Sequence, residues 1–180
     1  MQRVQRTALV LFANDGYGAV SIEAIAQAAE VGVATIFRHF GTKDRIVLWD
    51  EAEEDIAESL FAAVEQFGIR HAILGFAARL DEAERQFRQL VLARLALIQH
   101  EPELDAQAAI NLRELGRGVS LALARRRGAK QVSLPDNAAG QVIAAALSTA
   151  ISEWGRLKGK RPMRVLTEEV LSGVRSIMLE

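Results

Sequence analysis

Residues Ser21–Lys43, SIEAIAQAAEVGVATIFRHFGTK, decide how this chain folds. Ser21 is placed to cap a helix, its hydroxyl accepting from the first free backbone N–H groups. Ile22, Ile25, Ala26 and Ala29 recur at three- and four-residue spacing and make one apolar stripe. Ala28 and Ala29 keep that helix thin enough for a neighbour to approach closely. Glu30-Val31-Gly32 supplies a tight turn, with Val31 as its buried plug. In the short helix that follows, Ile36, Phe37 and Phe40 are expected to share a core, while Thr35, Arg38 and His39 offer a hydroxyl, a guanidinium and an imidazole to the outside. Those donors suit phosphate oxygens and base edges. Periodicity alone leaves two readings open: an ordinary helical hairpin with a solvated face, and a helix-turn-helix whose second helix enters the DNA major groove.

The longer segment Ala8–Val47, ALVLFANDGYGAVSIEAIAQAAEVGVATIFRHFGTKDRIV, closely resembles the DNA-binding domain of the TetR (tetracycline-repressor) family of transcription regulators. The resemblance is carried by Ala8, Leu11, Phe12, the Gly16-Tyr17 turn, Ser21, Ile25-Ala26, Ala29, Val31, Thr35, Phe37, His39-Phe40 and Lys43. It implies a phosphate contact from Ser21 and base reading by Gly32, Val33 and Ala34 at the start of the recognition helix. It further implies a base or phosphate contact from Thr35 and backbone contacts from Arg38, His39 and Lys43, with Phe37 and Thr42 on the same surface. Three departures matter. Phe37 stands where tyrosine is usual, so a phenol hydrogen bond is lost. Glu30 stands where the turn usually has glycine, so the backbone there must suit a non-glycine residue. Gly41 replaces a common proline and is expected to loosen the junction to the next helix. Because Gly32, Val33 and Ala34 offer only van der Waals contact to thymine methyl groups, Arg38, Thr35 and the shape of the duplex are expected to carry the sequence preference.

The chain has 180 residues, half of them apolar, enough for a substantial core. It contains no cysteine, which excludes disulfides and thiolate metal sites and fits a cytoplasmic protein. No stretch is apolar for long enough to span a bilayer, and the basic-then-apolar start MQRVQRTALVLF continues at helical spacing rather than as a signal peptide. Net charge is −1. Up to residue 45, Arg3, Arg6, Arg38, Lys43 and Arg45 outnumber Asp15, Glu23, Glu30 and Asp44 by one. DNA binding would therefore depend on a few placed cations and helix N-termini, not on bulk charge.

Beyond residue 42 the pattern is helical throughout. A long helix is expected from Thr42 or Asp44 through Trp49 and Leu60 to Gly68, and a short one from Ile69 to Leu80. Asp81 is expected to cap the next, which becomes almost continuously apolar after Leu90. Pro102, Pro135 and Pro162 mark the starts of helices over about 103–127, 136–158 and 163–179. The expected fold is all-α, with about nine helices. An N-terminal three-helix helix-turn-helix domain (residues 1–45) joins a C-terminal helical effector-binding and dimerisation domain (residues 46–180).

The resemblance implies that the last two helices pair with their copies across a two-fold axis. The candidate face is Val142, Ile143, Ala146, Leu147, Ala150, Ile151 and Trp154, with Leu166, Val170 and Val174 from the final helix. In a monomer the same residues would simply be core. The middle helices would enclose a ligand pocket, for which the candidates are Phe61, Phe76, Phe87, Leu90, Arg94, Leu97, Ile98, Asn111 and Leu115. Arg94 interrupts the run LVLARLALI and could anchor the polar head of an apolar ligand; a surface position or an ion pair within the bundle are the alternatives. His71 and His100 lack a carboxylate or cysteine neighbourhood of metal-ligand spacing, so no metal and no cofactor is expected.

Three functions follow from these features. A ligand-responsive dimeric transcription regulator, most often a repressor in this family, would bind a palindromic DNA operator and be released by a small, largely apolar effector. A small helical enzyme is disfavoured, because the chain has no nucleophile motif, phosphate-binding glycine loop or metal cluster. A helical protein-interaction module without specific DNA binding is the alternative left open by Glu30, Phe37 and Gly41.

Overall fold

The computed structural model describes residues 1–49 and 53–177, with the side chains of residues 53–56, 80, 83–87 and 177 outside the description. The described residues form nine helices: α1 (Gln2–Asp15), α2 (Ile22–Ala28), α3 (Val33–Phe40), α4 (Lys43–Leu48), α5 (Glu53–Phe67), α6 (Ile69–His100), α7 (Pro102–Arg126), α8 (Leu134–Arg156) and α9 (Met163–Ile177). They fall into two compact units. One comprises Met1–Glu53 with Gln89–Ala108, the other Glu54–Arg88 with Ala109–Glu180.

The first unit is built on the apolar stripes of α1 to α4. Ala8, Phe12, Ile25, Ala26, Ile36, Phe40, Ile46 and Val47 are buried together, with Leu104 from the start of α7. Gln5 is buried within this apolar set, and its side-chain amide donates to the carbonyls of Ile46 (3.0 Å) and Trp49 (2.5 Å). That contact explains a departure from the expected single helix after residue 42. Trp49 leaves helical geometry (φ −62°, ψ 132°), α4 ends at Leu48, and the Trp49 carbonyl turns towards Gln5. The Trp49 ring meanwhile packs edge-on against His39 and Phe40, both 5.6 Å away.

The second unit buries Leu60, Val64, Ile73, Val119, Ile143 and Leu147. Its helices approach closely at glycines. A Cβ on Gly118 would overlap the ring of Phe61, and one on Gly140 would overlap both the Ser120 hydroxyl and the Gly116 carbonyl. Trp154 is buried beside Gly159 in the turn after α8, and its indole N–H has no hydrogen-bond partner among the described residues.

The break expected before Asp81 does not occur: α6 is continuous from Ile69 to His100. Asp81 does cap a helix, but a different one. Its carboxylate accepts from the backbone N–H groups of Met163 (2.6 Å) and Arg164 (3.1 Å) at the start of α9. With its carboxylate engaged there, Asp81 has no reason to interrupt its own helix.

Ser133 and Asp136 form a reciprocal capping box at the start of α8. Asp136 also accepts from the Arg127 guanidinium (Nε at 3.1 Å) and from the Ser133 hydroxyl and N–H (2.6 and 2.9 Å). The Arg127 hydrogen bonds, followed by those from Ser133, hold its carboxyl down to about 2. A carboxyl depressed below its unfolded value, about 3.9, contributes stability that is complete above that value and lost as pH falls towards 2. Asp136→Asn is therefore expected to lower stability near neutrality and to flatten the loss of stability between about pH 4 and pH 2, as read by thermal melts across that range.

Candidate nucleic-acid interface

The turn between α2 and α3 sets the angle of the recognition helix. Ser21 opens α2 by accepting from the Ala24 N–H at 3.1 Å. At the other end the Val31 N–H reaches back to the Ala26 carbonyl (3.0 Å) across Glu30, which lies in the left-handed region at φ +52°. This is the backbone that favours glycine at a helix end, so the expectation of a turn suited to a non-glycine residue is corrected. Glu30→Gly is expected to stabilise the first unit by about 1 kcal/mol, measurable as a higher denaturant midpoint with an unchanged slope.

The α3–α4 junction is also left-handed. Gly41 ends α3 at φ +75°, a value closed to proline. Its presence is a requirement of this backbone, and the expected loosening relative to proline is replaced by a glycine-specific turn.

Within α3, Ile36 and Phe40 are buried, but Phe37 is 48% exposed. The three do not share a core. Phe37 follows Ile36 by one residue, about 100° around the helix, and turns to the outer face. Gly32, Ala34, Arg38, His39 and Thr42 are exposed with it, while Val33 and Thr35 are half-buried; Ser21 is exposed at the start of α2. His39 keeps one edge against Phe40, with ring centroids 4.7 Å apart. Thr42 precedes α4 without a side-chain capping bond.

Lys43 has structural work that its position in the sequence does not announce. Its ammonium donates to the carbonyls of Tyr17 (2.7 Å) and Val20 (3.2 Å) and lies 4.3 Å from the centre of the Tyr17 ring. It thereby ties α4 to the α1–α2 turn. An ammonium has three N–H donors, so one remains beyond the two carbonyls. The Tyr17 hydroxyl is pushed up to about 12, first by burial and then by Asp44, Glu103 and Glu101. Arg3, counted above only as charge, reaches the Glu30 carbonyl at 3.4 Å and brings a cation to the edge of the motif turn. Only the fold reveals that neighbourhood, 27 residues away in sequence.

The residues expected to line one ligand pocket divide between the units. Leu90, Leu97 and Ile98 pack on the core of the first, where Arg94 donates to the Trp49 carbonyl at 3.2 Å. That bond ties Arg94 to the chain just past the end of α4. Phe61, Phe76 and Leu115 pack on the core of the second unit, with the Phe61 ring held against Gly118. Asn111 is half-buried, and Phe87 lies outside the described side chains.

The residues expected on the dimer face divide by exposure. Ile143, Ala146, Leu147, Ala150, Trp154 and Leu166 are already buried within one chain. Val142 (41% exposed) and the half-buried Ile151, Val170 and Val174 keep free surface.

An exposed recognition helix on a small helical scaffold, followed by a separate helical unit, defines the helix-turn-helix transcription regulators. Residues 6–48 match the family model for bacterial regulatory proteins of the tetR family, and residues 66–178 match that of the MftR C-terminal domain. The chain belongs to the TetR family of transcriptional regulators. The HTH-type transcriptional regulator TcmR of Streptomyces glaucescens is 29% identical over 97% of this chain and 81% of its own length. MftR of Mycobacterium tuberculosis is 27% identical over 85% of this chain and 78% of its own length. Among solved structures, Thermus thermophilus FadR, a TetR-family repressor crystallised with lauroyl-CoA, shares the fold at a TM-score of 0.61 and 21% identity, covering 95% of this chain and 91% of its own. Among the described residues no helix is long and apolar enough to cross a membrane.

Proposed function

We propose that this regulator is a dimeric repressor that binds a palindromic operator and is released by a small, largely apolar effector. The observation that carries the reading is the outer face of α3. It presents Phe37, Arg38 and His39 beside the small residues Gly32 and Ala34, with the Ser21 cap at the start of α2. Ser21, Arg38, His39, Thr42 and the remaining donor of Lys43 hold the phosphate backbone, and Gly32, Val33, Ala34, Thr35 and Phe37 face the bases. Residues 1–45 form the DNA-binding domain, and residues 46–180 receive the effector and the second copy. Two recognition helices then meet half-sites about 34–36 Å apart. The dimer contact uses the outward residues Val142, Ile151, Val170 and Val174. No enzymatic activity is assigned, and the protein acts in the cytoplasm, where its operator is.

DNase footprinting of the chain's own upstream region tests this. Protection of a palindrome supports it, and absence of any specific protection favours the helical interaction module instead. Arg38→Ala is expected to weaken operator binding about tenfold or more and to relax sequence preference, as measured by gel shift against a set of mutated operators. A monomeric mass at micromolar concentration would rule out the two-fold arrangement.

A further inference from the structure

We propose that the open groove between α5 and the N-terminal half of α6 binds a small aryl carboxylate. The groove has two overlapping lobes. One, of about 280 Å³, runs from Ser59 to Phe67 on α5 and from His71 to Arg79 on α6. The other, of about 510 Å³, lies over Phe67, Arg70, His71, Leu74 and Gly75. The sizes fall around the lower part of the range for small-molecule sites, about 300–1,000 Å³.

Three observations fix the chemistry of the occupant. The first is aromatic. Phe67 is 54% exposed, its ring lies 4.8 Å from that of His71, and Phe76 continues the wall, so flat apolar surface is presented to the groove. Aromatic partners stack on such surface in offset or tilted geometry.

The second is charge. Among the described residues, the lining of both lobes contains Arg70 and Arg79 and no carboxylate. Arg70 is exposed and has no hydrogen-bond or ion-pair partner among the described residues. Arg79 donates one N–H to the Ser59 hydroxyl, leaving other donors of its guanidinium for an anion. An arginine fork matches a carboxylate through paired hydrogen bonds.

The third is Gly75. It lies inside α6, where glycine is less favourable than alanine, and a Cβ there would meet nothing within 4 Å. No turn or close helix crossing requires it. What its missing side chain does is leave the groove open.

Binding itself is independent of the DNA reading, but its consequence, release of the operator, rests on the function proposed above. The test is calorimetric titration of the full chain with 2-naphthoate, using 2-naphthalenemethanol as the uncharged control. The expected result is a Kd of about 100 µM or tighter for the acid and at least tenfold weaker binding of the alcohol. Joint Arg70→Ala and Arg79→Ala replacement should remove that difference. Gly75→Leu should abolish binding of both while leaving the thermal midpoint unchanged or higher, because leucine fills the groove and favours the helix. Equal binding of acid and alcohol, undiminished binding by Gly75→Leu, or no binding of naphthoate would each overturn the proposal. So would a change of oligomeric mass in Gly75→Leu, which would make the groove a contact between copies. A chain that footprints an operator but does not bind naphthoate loses this inference alone. One that binds naphthoate through the two arginines without protecting DNA loses only the regulatory reading.

Discussion

Gly140→Ala is expected to cost about 3 kcal/mol or more, at the upper end of what one added methyl does in a packed interior. The added Cβ would fall inside the contact distance of the Ser120 hydroxyl and the Gly116 carbonyl, and 2.9 Å from the Ser120 backbone nitrogen. Two of these three atoms are backbone, so no rotamer change relieves the clash, and α7 and α8 must separate. Ser120 is itself held in place, its hydroxyl donating to the Gly116 carbonyl at 2.7 Å. For a chain of this length the midpoint of thermal unfolding should fall by about 10 °C. Gly173→Ala is the matched comparison. A Cβ there meets nothing, so the same change inside α9 should stabilise by about 0.5–1 kcal/mol. Equal melting of the two variants would remove the close crossing as the explanation.

Lys43→Met should remove about 2–3 kcal/mol from the first unit. The Tyr17 and Val20 carbonyls lose their charged donor, a penalty of about 1–3 kcal/mol for polar groups left unsatisfied. The contact over the Tyr17 ring adds about 0.5–1 kcal/mol. Two measurements separate this role from contact with DNA. Denaturant unfolding reports the tie between α4 and the α1–α2 turn. The salt dependence of operator binding reports phosphate contact, and its slope should fall by about one for each subunit. Lost stability with an unchanged slope would confine Lys43 to holding the turn.

The helix-turn-helix was legible because its burial follows local periodicity. Ser21 as a cap and Ile25, Ala26, Ile36 and Phe40 as core can all be read from three- and four-residue spacing. Phe37 was misplaced because adjacency in sequence is not adjacency on a helix. The Glu30 side chain does not announce its left-handed backbone, which goes with the Val31-to-Ala26 hydrogen bond; the only hint is that the turn usually has glycine there. Asp81 shows the same limit at long range. Its capping chemistry is visible in the sequence, but the helix it caps begins 82 residues later. The face of α8 was ambiguous for another reason. Small and apolar residues on several sides of one helix do not say which side meets the same chain and which remains for a copy. The groove over α5 and α6 had only fragments in the sequence, because its two walls come from helices whose pairing had to be seen.

The buried indole of Trp154 has an optical consequence. The chain contains two tryptophans, and they fall one to each unit, Trp49 in the first and Trp154 in the second. Trp154 is buried, with no hydrogen-bond partner for its N–H among the described residues, whereas Trp49 is half-buried against His39 and Phe40. Fluorescence from Trp49→Phe and Trp154→Phe chains therefore reports each unit separately without any added label. Overlaid, the two melting curves say whether the DNA-reading half and the effector half come apart in one cooperative step or in two.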